Sequence, residues 1–285
     1  MVFFSRFRPV LPLLLGVHFT AYAASVVITP FIDTTITQKS GTELIRLDVG
    51  ANGMSQVSRS FVQFDVAGNV PAGATITSAS LTVTVVQVPA GAPPNSIFDL
   101  RRVRVSWDET NATWTLRNTG LAWTVAGGQI GADFTNKVTQ TNFFDQNENA
   151  KTWVSNSNMV ADVQFWLTNA SANFGWVIMT ESENTDKTQR GLGSSESGAT
   201  APKLTIQYTA PAAKPTLTVL GRTNNNFRFS FPAETNRTYS AQFIGDPTKT
   251  NWTSLTNFSA ATIPTNRVVS DPLTPSNRYY RVQTP

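Results

Sequence analysis

The chain has 285 residues, with 22 basic residues, 18 acidic residues, one histidine and no cysteine, and its formal net charge is +4. The lack of cysteine excludes disulfides, thiolate catalysis and thiolate metal sites, so a hydrophobic core must hold the fold together. No basic run stands out, which argues against a nucleic-acid partner, because phosphate binding needs clustered basic residues.

The first residues have the pattern of a secretory signal peptide, which we predict over residues 1–24. Arg6 and Arg8 form a basic start, an apolar stretch follows, and residues 21–23 are a small-x-small cleavage pattern. The only histidine, His18, lies in this segment. Beyond it, no apolar run approaches the roughly 18 residues that a membrane span needs. We therefore expect a secreted protein, extracellular or at the cell surface, without a membrane span.

Residues 25–209 show mainly the alternation of apolar and polar residues that is typical of strands with one buried face. The alternating segments are Glu43 to Val49, Phe61 to Val66, Leu81 to Val88, Ile97 to Val105 and Leu204 to Tyr208. Val62, Phe64 and Val66 form one such apolar stripe. Helical spacing appears only from Met159 to Leu167, with Asn158 as the predicted N-cap. The pattern predicts an antiparallel, jelly-roll-like β-sandwich with one short helix.

Residues 210–215 predict a linker, because they are rich in proline and alanine and lack apolar periodicity. Residues 216–285 then predict six short strands, which fit a small immunoglobulin-like or fibronectin III-like sandwich. These are Thr216 to Leu220, Phe227 to Phe231, Tyr239 to Phe243, Trp252 to Phe258, Arg267 to Ser270 and Arg278 to Val282. The fold class is therefore all-β, with a large sandwich followed by a small one.

Several segments of the large domain occur in a characteristic order. They are Arg59 to Val66, Pro71 to Leu81, Ser106 to Glu109 with Ala112 to Trp114, Ala161 to Leu167 with Asn173 to Trp176, and Ser194 to Glu196 before Ala201 to Tyr208. This order resembles the DNRLRE-domain family of exported bacterial proteins, which overlaps carbohydrate-binding module family 96. The C-terminal part, with Asn251 and Trp252 and the closing segment Arg278 to Val282, is similar to small sandwich modules that end many large exported bacterial proteins. The resemblance implies a β-sandwich that binds polysaccharide, alginate-like polymers included, and it carries over no ligand residues.

Aromatic residues are the first candidates for sugar binding, since sugar rings stack on exposed aromatic faces. Trp107, Trp114 and Trp123 lie in a loop-rich stretch, and we predict Trp114 and Trp123 as ligand-binding residues. The alternative is a core or loop-anchoring role, which is the usual fate of tryptophan. Trp166 and Trp176 are predicted to lie in the core.

Charged residues offer two further candidates. Arg102 and Arg104 share one face of a predicted strand and are predicted to grip uronate carboxylates, although a solvated face is the alternative. Glu181, Glu183 and Asp186 offer oxygens for a structural calcium ion. A surface hairpin of mixed charge, including Lys187 and Arg190, is the alternative there.

We expect no catalytic residues, no metal and no cofactor beyond that calcium ion. Asp108 and Glu109 are adjacent and would point to opposite faces of a strand, so no acid–nucleophile pair stands out. The sequence thus favours a non-catalytic polysaccharide-binding protein. The alternatives are a structural or adhesive cell-surface scaffold and, third, a carboxylate-based glycan-cleaving enzyme.

Overall fold

The computed structural model describes residues 23–38, 46–211, 214–273 and 277–284. The predicted signal peptide lies outside these residues, except for its last two positions, which begin the first strand. The chain divides into two compact units, with the boundary after Pro211, inside the predicted linker. Within the described ranges, no helix has the length and apolar character needed to cross a membrane.

The large unit is built mainly from strands. They are β1 Ala23–Ile28, β2 Ile32–Thr37, β3 Arg46–Ala51, β4 Val57–Gln63, β5 Thr75–Gln87, β6 Ser96–Arg102, β7 Leu116–Asn118, β8 Leu121–Ala122, β9 Gln140–Phe144, β10 Ala150–Trp153, β11 Trp176–Thr180, β12 Arg190–Gly193 and β13 Lys203–Thr209. Helices α1 Val66–Asn69 and α2 Ser157–Thr168 and the 3₁₀ turns Ala170–Ala172 and Ser195–Thr200 complete the unit.

Eleven of these strands form one curled antiparallel sheet, in the order β1-β13-β5-β12-β3-β4-β11-β6-β9, with β10 beside β5 and β2 beside β4. Strands β1, β13, β5 and β10 make one layer, and β2, β4, β11, β6 and β9 make the other. Strands β12 and β3 connect the two layers. The predicted antiparallel, jelly-roll-like sandwich is confirmed.

The main core lies between these two layers. Leu81 and Val83 from β5 belong to it together with Phe98 and Leu100 from β6, and all four are fully buried. The predicted stripe of Val62, Phe64 and Val66 is confirmed as part of this core, but the strand ends at Gln63 and Val66 begins helix α1. Helix α2 closes one end of the core with Met159, Val163, Trp166 and Leu167, and Trp176 packs with them, as the sequence predicts for both tryptophans.

The N-terminus of α2 differs slightly from the prediction. Asn156 is the N-cap, and its side-chain oxygen accepts the N–H groups of Asn158 and Met159 at 3.0 and 2.8 Å. The helix therefore begins two residues earlier than the apolar spacing indicates, because a polar first turn leaves no trace in that spacing.

A second core lies on the other side of β4 and β11, where the alternation predicts a face in water. Residues 103–139, here called the cover segment, pack across this face. Phe61 from β4 and Val177 from β11 lie under Trp107, Trp123 and Phe134 of the cover segment, all at most 6% exposed. The prediction of one wet face is wrong for these strands, because they are buried on both sides.

The small unit contains the six predicted strands. They are β14 Thr218–Thr223, β15 Asn226–Ala233, β16 Tyr239–Ile244, β17 Thr253–Phe258, β18 Thr265–Pro272 and β19 Tyr279–Gln283. They form two antiparallel sheets, β14-β15-β18 and β17-β16-β19. Phe229, Phe231, Tyr239, Ala241 and Val269 form their common core. The predicted small sandwich is confirmed.

Candidate functional site

Trp123 and Trp107, both in the cover segment, face the sheet rather than the solvent. Trp123 is 4% exposed, and its ring stacks on Phe61 with 5.3 Å between the ring centroids. Its indole N–H donates to the Thr113 carbonyl at 2.9 Å, and that of Trp107 donates to the Phe174 carbonyl at 2.9 Å. Stacking on a sugar needs a free ring face, so the buried ring of Trp123 is unsuited to the binding role predicted for it.

Trp114 is half-buried and lies in the cover segment, beside Arg59 of β4. The Arg59 guanidinium carbon is 5.5 Å from the Trp114 ring centroid, and Arg59 also donates to the Gly127 carbonyl at 2.7 Å. Gly127 has a φ of +87°, and a Cβ there would lie 2.5 Å from the Trp114 ring. Glycine is needed for this close approach. These contacts give Trp114 an anchoring role.

The acidic residues around 183 are used for side-chain pairing. Both carboxylate oxygens of Glu183 accept from Arg59 at 2.7 Å, and Asp186 accepts from the Ser55 hydroxyl at 2.6 Å. Among the described residues, they do not belong to a group of acidic side chains whose ligand atoms converge. The calcium ion predicted there would therefore need other ligands, such as Asn184 and backbone carbonyls. The surface-hairpin alternative fails for Arg190, which is fully buried.

Arg102 lies at the end of β6 and is held by helix α2. Its Nε is 3.0 Å from Asp162 Oδ1, and its guanidinium carbon is 4.3 Å from the Phe165 ring centroid. Asp162 Oδ2 in turn accepts the Trp176 indole N–H at 2.9 Å and the Thr139 hydroxyl at 2.7 Å. The terminal Nη1 and Nη2 form no hydrogen bond with the described residues. An ion pair and an aromatic ring thus position the guanidinium, and its terminal nitrogens have no hydrogen-bond partner among the described residues.

Arg104 has a different environment from Arg102. Its side chain is exposed and donates to the Gly131 carbonyl of the cover segment. Strand β6 ends at Arg102, and the Arg104 N–H donates to the Asp133 carbonyl at 2.8 Å. The predicted joint grip of Arg102 and Arg104 therefore loses its basis, since different elements hold the two guanidinium groups.

A groove of about 150 Å³ opens beside Arg102, between helix α2 and the end of the cover segment. Its polar lining consists of Arg102, Lys137, Thr135, Thr139, Asn158 and Asp162. Two cationic groups face one carboxylate that is already paired, so the groove suits a negatively charged group. Hydroxyl and amide groups around it add hydrogen-bonding partners of the kind a sugar uses.

A second polar cluster joins three parts of the chain that the sequence analysis did not connect. Asp33 of β2, Glu109 of the cover segment and Glu196 of the second 3₁₀ turn place one carboxylate oxygen each within 4.8 Å of one another. The Asp33 N–H donates to Glu109 Oε1 at 3.0 Å. Carboxylate oxygens are the ligands that calcium prefers, so these residues, rather than those near 183, offer oxygen ligands for a cation.

Asp33 is the buried member of this carboxylate cluster, at 5% exposed. It accepts the Ser195 N–H at 2.7 Å, and the Ser195 hydroxyl is shared between Asp33 and Glu196 at 3.2 and 2.7 Å. Burial, with the negative charges of Glu196 and Glu109, raises the pKa of Asp33 to about 6 despite these hydrogen bonds. Asp33 therefore holds a proton more readily than an ordinary carboxyl.

We expect Asp33→Asn to remove part of the pH dependence of stability between pH 4 and 7. The pKa of Asp33 rises from 3.8 to about 6 on folding, so the folded state keeps a proton that the unfolded state releases. Stability is then lost as pH rises through this window, by on the order of 2 to 3 kcal/mol. Urea unfolding of both proteins at pH 4, 5, 6 and 7 measures it. Parallel pH curves for the two would contradict the raised pKa.

A partial signal for this cluster is present in the sequence. Glu109 and Glu196 both lie in the ordered segments named above, in Ser106 to Glu109 and in Ser194 to Glu196. Asp162 and Trp176, which orient Arg102, come from another of those segments.

Comparison of the chain with family models and with curated proteins finds no match.

Proposed function

We propose that this is an exported protein that binds an acidic polysaccharide without cleaving it, with a uronate carboxylate at Arg102. The observation that carries the proposal is the orientation of the Arg102 guanidinium. Asp162 and Phe165 flank it, and Arg102 lines a groove together with Lys137. An arginine with two parallel free donors matches a carboxylate, and prior orientation lowers the entropy lost on binding.

The carboxylate cluster supports a non-catalytic role. Glycoside hydrolysis by two carboxyl groups needs one carboxyl group on either side of the bond that is cleaved, both open to the sugar. The ligand oxygens of Asp33, Glu109 and Glu196 lie within 4.8 Å of one another, and Asp33 is buried. This arrangement suits holding a cation or sharing a proton better than flanking a sugar.

We expect Arg102→Gln to weaken binding to polygalacturonate about tenfold, because a charged bidentate contact is lost. Affinity electrophoresis of the full chain without its predicted signal peptide measures this, with alginate as a second acidic polymer and xylan as a neutral one. Binding of the unaltered protein should weaken with added salt. Arg104→Gln is the matched control, with the same loss of charge at an exposed position, and should bind as before.

Three outcomes would overturn the proposal. No retardation on either acidic polymer would favour the structural or adhesive scaffold. Equal losses of affinity for Arg102→Gln and Arg104→Gln would mean that binding depends only on the net charge of the protein. Release of reducing ends from any of these polymers would point to the glycan-cleaving enzyme.

A further inference from the structure

The basic charge of the protein is concentrated in the small unit. Residues 210–285 contain eight basic and three acidic residues, a net charge of +5, whereas residues 25–209 contain twelve basic and fifteen acidic residues, a net charge of −3. Arg278 and Arg237 of the small unit pair with Asp271 and Glu234. Six basic residues then remain against one acidic residue, Asp246. A surface of this unit therefore attracts anions.

The outer face of the sheet β17-β16-β19 carries a continuous set of polar side chains. Tyr280 points inward, where its ring lies 5.1 Å from Phe227, so the next residue, Arg281, points outward. Gln242 pairs with both Arg281 and Ser254 across the sheet and shares their face. Guanidinium, amide and hydroxyl groups thus lie side by side on this face.

Arg281 is fixed on this face in the same manner as Arg102 in the large unit. Its guanidinium carbon is 4.3 Å from the Trp252 ring centroid, and its Nε donates to Gln242 Oε1 at 2.8 Å. Its Nη1 and Nη2 form no hydrogen bond with described residues. An aromatic ring and an amide therefore orient the group, and two donors remain for a ligand.

An exposed aromatic ring completes the surface. Tyr279 lies two residues before Arg281 on the same strand, hence on the same face, and is 46% exposed. On the other side of β19, Arg281 and Gln283 line a groove of about 440 Å³ that also contains Lys214. An exposed ring beside Arg281 and a groove lined by Arg281 and Lys214 fit an extended anionic chain of sugars.

We infer that this face of the small unit, defined by Tyr279, Arg281, Gln242 and Trp252, is a second binding site for a uronate-containing polysaccharide. The inference rests on the proposed function and extends it to a separate surface. The carboxylate of one sugar binds the free donors of Arg281, and a sugar ring stacks on Tyr279. The net charge of the unit selects acidic over neutral polymers.

Titration calorimetry with a short oligogalacturonate tests the inference on the full chain without its predicted signal peptide. We expect two sites per chain, with one lost in Arg281→Gln and the other in Arg102→Gln. Tyr279→Ala should weaken the Arg281 site about tenfold. Arg228→Gln is the matched control, because Arg228 is half-buried on the outer face of the other sheet of the small unit and loses the same charge. Unchanged urea midpoints confirm that the variants fold.

The outcomes separate the two proposals. One site that Arg102→Gln abolishes and Arg281→Gln leaves intact would overturn this inference and keep the proposed function. One site abolished only by Arg281→Gln would support the inference and contradict the binding role proposed for Arg102. Equal losses for Arg281→Gln and Arg228→Gln, or no binding at all, would overturn the inference.

Discussion

Phe61→Ala is expected to destabilise the large unit by about 3–5 kcal/mol, as much as Phe64→Ala. Both rings are fully buried, on opposite sides of the sheet. Phe61 lies at the centre of the second core, with ring centroids 5.4 Å from Trp107, 5.3 Å from Trp123 and 5.8 Å from Phe134. Its removal leaves a cavity under the cover segment. Urea unfolding followed by tryptophan fluorescence measures the loss.

Phe143→Ala is the control for this experiment, because Phe143 is 61% exposed and should change stability by no more than about 0.5 kcal/mol. A loss below about 1 kcal/mol for Phe61→Ala would mean that the cover segment does not pack on β4. A loss of stability below about 1 kcal/mol for Phe64→Ala would instead mean that the Phe64 side chain faces water rather than the main core.

Arg190→Met is expected to destabilise the large unit by about 3 kcal/mol or more. The guanidinium of Arg190 is fully buried and donates only to backbone carbonyls. These belong to Pro93, Phe144, Asp145, Lys187, Thr188 and Gln189. Burial lowers the pKa of Arg190, yet arginine keeps its charge in proteins. Methionine would fill similar space and leave these carbonyls without a donor, at about 1–3 kcal/mol for each buried group.

Arg190→Lys should recover little of this stability, since an ammonium group has three donors at one point and cannot span carbonyls on several segments. Arg104→Met is the matched control, at an exposed arginine with a single carbonyl partner. Urea unfolding of all three variants measures the differences. Equal stability of Arg190→Met and Arg104→Met would show that the carbonyls around Arg190 find other donors.

The local features of the fold could be predicted because their causes are local. Alternation with a period of two reports directly on a strand with one buried face, and turn residues mark where it ends. The six strands of the small unit and the stripe of Val62, Phe64 and Val66 follow from such patterns. The linker region likewise lacks the apolar periodicity that packing into a hydrophobic core requires.

The second core could not be predicted, because its cause is a long-range contact. On the outer side of β4, Phe61 stands between Arg59 and Gln63, which by pattern indicates a wet face. The cover segment that buries it begins 42 residues later in the chain, and the sequence of β4 does not predict this contact. For the same reason the aromatic residues of the cover segment were open to interpretation as a binding surface.

Only part of the candidate site could be predicted. The charge of Arg102 predicts that it binds a carboxylate, but the groups that orient it lie in helix α2 and β11. The carboxylate cluster joins Asp33 to Glu109, which is 76 residues away, and to Ser195, which is 162 residues away. Titratable groups brought together over such separations leave no periodic pattern, so only the tertiary structure reveals them.

The pairing of β1 with β13 affects how the large unit is made. The first strand, Ala23–Ile28, lies beside the last, Lys203–Thr209, and the last alone connects it to β5. Translation must therefore reach residue 209 before β1 has its partner, and sheets built on such distant contacts fold in milliseconds to seconds. The nascent large unit thus stays open at this edge until its final strand is synthesised.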